Sequence, residues 1–254
     1  MTSHAPARIL AIGLSLLLVA YGAVTLASLL ARDTQTRTAT YQGVTTIELD
    51  TGFEDVDIVA AEGADSVKIS RRWTWSLSQP TVSSRQDGDR LVLTSSCPFS
   101  PGLPCTGRIR LTVPPDLLVT GGVSDGHLVV DGLTSPLDVH TADGSVDLRD
   151  LSGDLRLVTS DGSLHGTGLT SDRVSLESSD GSTQLDFARP PTSVRATTRD
   201  GSIELGMPDD GTSYDVSVDV DDGSQDVTVP TASSSPHKVT IDARDGSVRV
   251  LTAR

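Results

Sequence analysis

The sequence predicts an all-β protein, a β-solenoid of short two-strand repeats behind a single N-terminal transmembrane helix. Three observations predict it. Asp-Gly followed by Ser or His recurs seven times, beginning at Asp125, Asp143, Asp161, Asp180, Asp200, Asp222 and Asp245, with offsets of 18, 18, 19, 20, 22 and 23 residues. A near-constant period of this length marks a repetitive architecture. Around each Asp-Gly, apolar and polar residues alternate with period two, as in strands with one buried face. Finally, Ile9 to Ala31 is a run of twenty-three residues without a charge.

With each Asp set as position zero, the side chains fall into columns. Leu137 and Val139, Leu155 and Leu157, or Val239 and Ile241 stand six and four residues before it. Val146 and Leu148, Ile203 and Leu205, or Val248 and Val250 stand three and five residues after it. The residue two before is small or β-branched, as in Val123, Thr141, Thr159, Ser178, Thr198, Val220 and Ala243. Each repeat is therefore two strands joined at a corner: Asp125-Gly126, Asp143-Gly144, Asp161-Gly162, Asp180-Gly181, Asp200-Gly201, Asp222-Gly223 or Asp245-Gly246. Asp bonds its own backbone two residues on and Gly accepts positive φ, which suits both to turns. The same columns fit an antiparallel hairpin meander or sandwich, because residues at minus two and plus three also face one another across a two-residue hairpin. Fourteen strands in one open sheet would exceed the usual span of about ten and leave an apolar face bare. A solenoid covers itself.

Along the chain, residues 1–8 are expected as a short cytoplasmic tail and 9–31 as the transmembrane signal anchor, ended by Arg32 and Asp33. At ~1.5 Å per residue the run matches a hydrocarbon core of roughly 30 Å. It is longer than the 7–15 residues typical of a signal-peptide core, although Thr25-Leu26-Ala27 and Leu29-Leu30-Ala31 keep cleavage open as an alternative. Residues 32–42 are polar and Thr-rich, a linker. Residues 43–115 form an irregular N-terminal β region or cap, with strands at 46–50, 56–59, 66–70, 90–94 and 108–113 and an out-of-frame hairpin at Asp87-Gly88. Within it Ile47, Leu49, Thr51, Val56 and Ile58 repeat the columns around Phe53, so the corner changes while the core positions persist. Trp73 and Trp75 read as end-cap residues, the alternative being an exposed aromatic platform. Residues 116–254 carry the regular solenoid, with Pro190-Pro191, residues 208–211 and residues 231–237 as loops at one end of the coils.

Cys97 and Cys105, the only cysteines, bracket Pro98, Pro101, Gly102 and Pro104. An even pair behind an export signal reads as a disulfide, and the spacing is not that of a redox Cys-x-x-Cys. Residues 33–254 hold all 34 acidic and 18 of the 20 basic residues, a formal charge of −16. That balance excludes nucleic acid and anionic lipid headgroups as partners of this part.

Chemistry is sparse. A row of corner carboxylates could offer oxygen ligands to calcium, and Asp143, Asp161 and Asp180 are the candidates. The calcium β-roll motif Gly-Gly-x-Gly-x-Asp is absent, however, and such a row stands without metal, because exposed like charges ~4.8 Å apart cost only about 1 kcal/mol. His127, His140, His165 and His237 occupy four different columns and do not stack into one metal site. No Gly-x-Ser-x-Gly elbow is present, and the Ser of each corner is a turn residue by repetition. The acidic residues follow the repeat, whereas glycan-cleaving carboxylates would break it. We expect no catalytic, cofactor or metal site.

The frame Val-x-Val-x-Thr-x-Asp-Gly-Ser-hydrophobic, iterated behind one N-terminal helix, resembles the bacterial "putative adhesin" family of unknown function over roughly residues 43–252. Leu111-Thr112-Val113-Pro114 and the paired cysteines ahead of the repeats carry the resemblance further. It implies a β-solenoid at the cell envelope, with some members tied to envelope-stress sensing, and no catalytic residues. The expectation is a single-pass cell-membrane protein with an extracellular C-terminal domain, presenting an acidic solenoid for protein or glycan contact. The alternatives are a stress sensor or scaffold subunit of a membrane complex, and a polysaccharide-active enzyme.

Overall fold

The computed structural model describes residues 5–98 and 105–253, with backbone alone for residues 5–11 and 28. The expected N-terminal helix is α1 (Ala5–Leu30). Its described side chains point outward, with Ile12, Leu17, Tyr21 and Leu30 among those left exposed. They run unbroken from Ile12 to Ala27, ~24 Å at ~1.5 Å per residue, and among the described residues no helix is long and apolar enough to cross a membrane. The transmembrane span expected over 9–31 therefore finds a helix but not a demonstrated crossing.

Twenty-one strands follow among the described residues. β1 (Asp33–Gln42) leads into a first coil, β2 (Thr46–Thr51) and β3 (Glu54–Ala60). An excursion of four strands comes next: β4 (Ser66–Trp75), β5 (Thr81–Asp87), β6 (Arg90–Ser96) and β7 (Thr106–Val113). Regular coils then begin with β8 (Leu118–Val123) and β9 (His127–Asp131), β10 (Leu137–Thr141) and β11 (Ser145–Arg149), and β12 (Leu155–Thr159) and β13 (Leu164–Leu169). They continue with β14 (Arg173–Ser178) and β15 (Ser182–Phe187), then β16 (Ser193–Thr198) and β17 (Ser202–Met207). The last four strands are β18 (Asp215–Val220), β19 (Ser224–Val227), β20 (Lys238–Ala243) and β21 (Ser247–Thr252).

These strands form two facing sheets. One is ordered β1-β4-β7-β3-β9-β11-β13-β15-β17-β21-β19 and the other β18-β20-β16-β14-β12-β10-β8-β2-β6-β5. Each Asp-Gly corner carries the chain from the second sheet into the first, so its two strands pair with neighbouring coils and not with each other. The columns become parallel ladders: Leu137 beside Leu155, Val174 and Val194 in one sheet, and Val146 beside Leu164, Thr183 and Ile203 in the other. The antiparallel-hairpin alternative fails for the repeats. Asp87-Gly88 does close a hairpin, in which Asp87 pairs with Arg90 and Gly88 adopts φ 63°.

Coil order departs from chain order at both ends. The β2–β3 coil lies between β6–β7 and β8–β9, and the final β20–β21 coil is inserted between β16–β17 and β18–β19. The N-terminal end is thus closed by strands that follow the first coil in sequence, and the C-terminal end by the coil that precedes the last. Burial explains the arrangement at the C-terminal end. The inserted coil supplies Val239, Ile241, Val248 and Val250, all fully buried. The outer coil carries Gln225 at an inward position, where enclosure between coils would strand its amide without partners. At the other end, β1, expected to be a linker, pairs antiparallel with β4 from Asp33–Trp75 to Gln42–Ser66, and a hydrogen bond of 2.5 Å between the Tyr41 and Ser84 hydroxyls joins the two edge strands. Trp73 on β4 is buried, with the Arg37 guanidinium 6.0 Å from its ring centroid, so it belongs to this cap and forms no exposed platform. Cys97 and Cys105 are bonded to each other between β6 and β7.

The corner glycines fill a role that the sequence does not reveal. None of them has positive φ. A Cβ on Gly162 would stand 1.9 Å from the Gly144 carbonyl oxygen, on Gly181 1.9 Å from that of Gly162, and on Gly246 2.0 Å from that of Gly201. Successive corners stack backbone on backbone, held by bonds such as Asp161 N–H to Ala142 O and Asp245 N–H to Arg199 O, at 2.9 and 2.8 Å. Glycine is required by close approach, not by turn conformation. In the β2–β3 coil Glu54 holds this column, and the neighbouring chain makes room for it with Gly107, where a Cβ would come within 2.5 Å of the Glu54 side chain.

Candidate functional site

Four regions hold polar groups in an arrangement worth weighing. The first is the corner row. Asp161, Asp180, Asp200 and Asp245, with the following Gly and Ser of each corner, line an open depression of about 440 Å³. The carboxylates press on one another. The neighbouring Asp200 side chain is the largest influence raising the Asp180 carboxyl above its ordinary range, followed by partial desolvation and Asp161. Asp245 is raised by desolvation first and by Asp200 next. Among the described residues, no three His, Cys, Asp or Glu side chains are placed to hold a metal ion. Asp143, Asp161 and Asp180 thus lie on successive corners without forming a ligand set.

The second region is a Ser–His–Asp grouping on the outer face of the first sheet. His127 of β9 faces Ser145 of β11 across a parallel rung, with Nδ1 2.5 Å from the Ser145 hydroxyl. Its Nε2 lies 3.3 Å from an Asp147 carboxylate oxygen, which also meets Arg149 at 3.5 Å. Column reasoning missed this trio because it compared histidines only with histidines. The signal was present, since His127 and Ser145 share the plus-two column and Asp147 follows two residues later. The grouping lies half-exposed on a flat sheet face, where it secures the imidazole between two coils. His237 is fixed separately, its Nδ1 2.8 Å from the Pro191 carbonyl oxygen.

The third region is buried. Glu54 is enclosed, and desolvation raises its carboxyl above the ordinary range, partly offset by a hydrogen bond from the Ser95 hydroxyl. It sits in the same row of the sheet as Gly107 and Trp73.

The fourth region is a concavity of about 660 Å³ on the outer face of the second sheet, across β12, β14, β16, β20 and β18. Ser160, Ser175, Ser179 and Thr197 contribute hydroxyls, Arg195, Arg199 and Arg244 positive charge, and Glu177, Asp219, Asp221 and Asp242 negative charge. Its charged side chains occupy positions between the apolar columns, which face outward by the alternation of the strand.

The geometry defines a class of protein, a two-sheet parallel β-solenoid whose coils turn on stacked Asp-Gly corners. Within that class, the chain belongs to the Toastrack DUF4097 family, whose model matches residues 122–251, about half of the 254 residues. This agrees with the resemblance read from the corners. Among solved structures, the chain is similar to a putative cell adhesion protein of Clostridium sporogenes, at 10% identity over 87% of this chain and 100% of that one, with a TM-score of 0.43. It is also similar to a putative adhesin of Parabacteroides merdae, at 12% identity over 86% and 96% of the two chains and a TM-score of 0.49. A putative adhesin of Bacteroides fragilis gives 13% identity, coverage of 87% and 97%, and a TM-score of 0.38. No curated protein matches the chain.

Proposed function

We propose that the chain is a non-enzymatic cell-envelope protein whose solenoid presents its outer faces for contact with a protein or glycan, in the manner of an adhesin. The observation that carries this reading is the distribution of chemistry. Polar side chains lie along two long open sheet faces set by the repeat, and the 660 Å³ concavity is an open trough on one of those faces. In the same reading α1, with the charge-free sequence of residues 9–31 and its outward apolar side chains, ties the solenoid to a membrane with residues 33–254 outside. Cells with and without the gene, compared for retention on glycan- and protein-coated surfaces, test the contact role. Unchanged retention on every surface would sink it. Protease treatment of intact cells tests the orientation, since an outward solenoid is accessible and an inward one is protected.

A second reading, a scaffold or sensor subunit that meets its partner end to end, is favoured by the outer coil. Val216, Val218 and Val220 are only partly buried there, and β18 and β19 form the last strands of both sheets. Asp215, Asp219, Asp221, Asp222 and Asp226 line the same coil, so a partner at this end would present basic side chains. Replacing Val218 with Asp should abolish co-purification of such a partner while leaving surface retention intact.

A further inference from the structure

We propose that Arg195, Arg199 and Arg244 form an anion-binding site on the outer face of the second sheet, suited to an oligosaccharide bearing carboxylate groups. This rests on the contact reading above and names its ligand class. Eight arginines lie among the described residues of the regular solenoid, and five are paired: Arg149, Arg156, Arg173, Arg189 and Arg249 each meet a carboxylate. The other three form no ion pair among the described residues, and all three line the one 660 Å³ concavity. The trough also holds Glu177, Asp219, Asp221 and Asp242, and Arg244 acts electrostatically on the adjacent Asp245, but none of the three guanidinium groups is engaged in a close ion pair among the described residues, so their N–H donors stay open to a ligand.

Their placement follows from the ladder. Arg199 and Arg244 each follow directly on the paired residues Thr198 and Ala243, so they stand on adjacent coils ~4.8 Å apart. Arg195 lies four residues back on β16, ~13 Å along the strand. Guanidinium groups take carboxylates through two parallel N–H···O bonds, so this spacing suits a ligand with at least two separated anionic groups.

The surroundings select the ligand class. Hydroxyls of Ser160, Ser175, Ser179 and Thr197 offer partners to sugar hydroxyls, while the trough lacks the aromatic anchors on which protein contacts usually depend. Glu177, Asp219, Asp221 and Asp242 border the same trough, so a ligand must set its carboxylates on the arginines and present neutral hydroxyls elsewhere, which a spaced acidic sugar can do and a uniformly anionic bilayer cannot.

Calorimetric titration of the full chain in neutral detergent at low salt with tetragalacturonate tests the site. The wild type should bind, and R195A/R199A/R244A should bind about tenfold or more weakly with an unchanged circular dichroism spectrum. The paired-arginine control R173A/R189A should bind as the wild type does. Absence of wild-type binding, equal binding by the triple variant, or equal loss in the control overturns the proposal. So does equal affinity for neutral tetragalactose, for sulfate alone, or for anionic phosphatidylglycerol vesicles, because each removes the charged sugar as the recognised group. Arginine-dependent binding combined with unchanged cell retention supports the site and sinks only the adhesion reading.

Discussion

Replacing Gly162 with Ala separates two explanations of the Asp-Gly corner by the sign of the effect. If glycine served only a turn, the substitution would be harmless, because Gly162 lacks positive φ. Removing unfolded-state freedom would then stabilise the protein by ~0.4–1 kcal/mol. The stacked corners require the opposite. The new Cβ would lie 1.9 Å from the Gly144 carbonyl oxygen, about 1.4 Å inside the ~3.3 Å at which carbon and carbonyl oxygen meet. The obstacle is backbone on both sides, so no rotamer relieves it. Overpacking of this kind costs about 1–3 kcal/mol. Opening the ladder also strains Asp161 N–H to Ala142 O and Asp180 N–H to Ser160 O, both 2.9 Å, at about 0.5–1.5 kcal/mol each. The expected loss is ~2–6 kcal/mol, read by urea unfolding of the full chain in neutral detergent with far-ultraviolet circular dichroism. Gly52 is the control. It too lacks positive φ, and a Cβ there meets only the Ser95 carbonyl oxygen at 3.6 Å, an ordinary contact. G52A should be neutral or slightly stabilising. A G162A protein as stable as the wild type would refute the close-approach argument.

Three further outcomes follow from the same frame. Leu157 is fully buried in a central coil, so L157A should cost ~2–5 kcal/mol, whereas R156A removes only exposed pairs at 3.7 and 3.8 Å and should change stability by less than ~1 kcal/mol; equal losses would contradict the inward assignment. Asp180 binds its proton more tightly folded than unfolded, so its contribution to stability falls as pH rises from its ordinary 3.8 through the raised value. D180N should therefore be more stable than wild type at neutral pH, with the gap shrinking at high salt and closing below that ordinary value; a less stable D180N across the range would show that the carboxylate acts as a needed acceptor instead. The Cys97–Cys105 bond closes a loop of sequence separation 8, and C97S/C105S should lower stability by about 2–3 kcal/mol on loop-closure grounds. An unchanged urea midpoint would show that the cap already holds that loop closed.

Much of the fold is legible in the chain because its signals are local. Alternation assigns Leu155, Leu157 and Val174 to the inside without reference to any neighbour, and the strands at 46–50, 56–59, 66–70, 90–94 and 108–113 fall within β2, β3, β4, β6 and β7. Two strands escaped that reading. β1 and β5 are edge strands rich in Thr, Ser, Gln and Arg, with few apolar side chains to register a period. The chemistry was less legible. Glu54 occupies a glycine column only once the coils are stacked, and the three unpaired arginines are distinguishable from the five paired ones only when their neighbours across the ladder are known.

The repeating unit, its two strands, its corner and the inward side chains are written locally in the chain, because each depends on residues a few positions apart. Which coil lies beside which is fixed only when the coils pack together. Every coil presents nearly the same columns, so each could stack on any other, and the choice rests on burial summed over whole coils. That sum places the chain's last coil inside and the Gln225-bearing coil at the end. It also sets the corners close enough that glycine is required where one backbone touches the next.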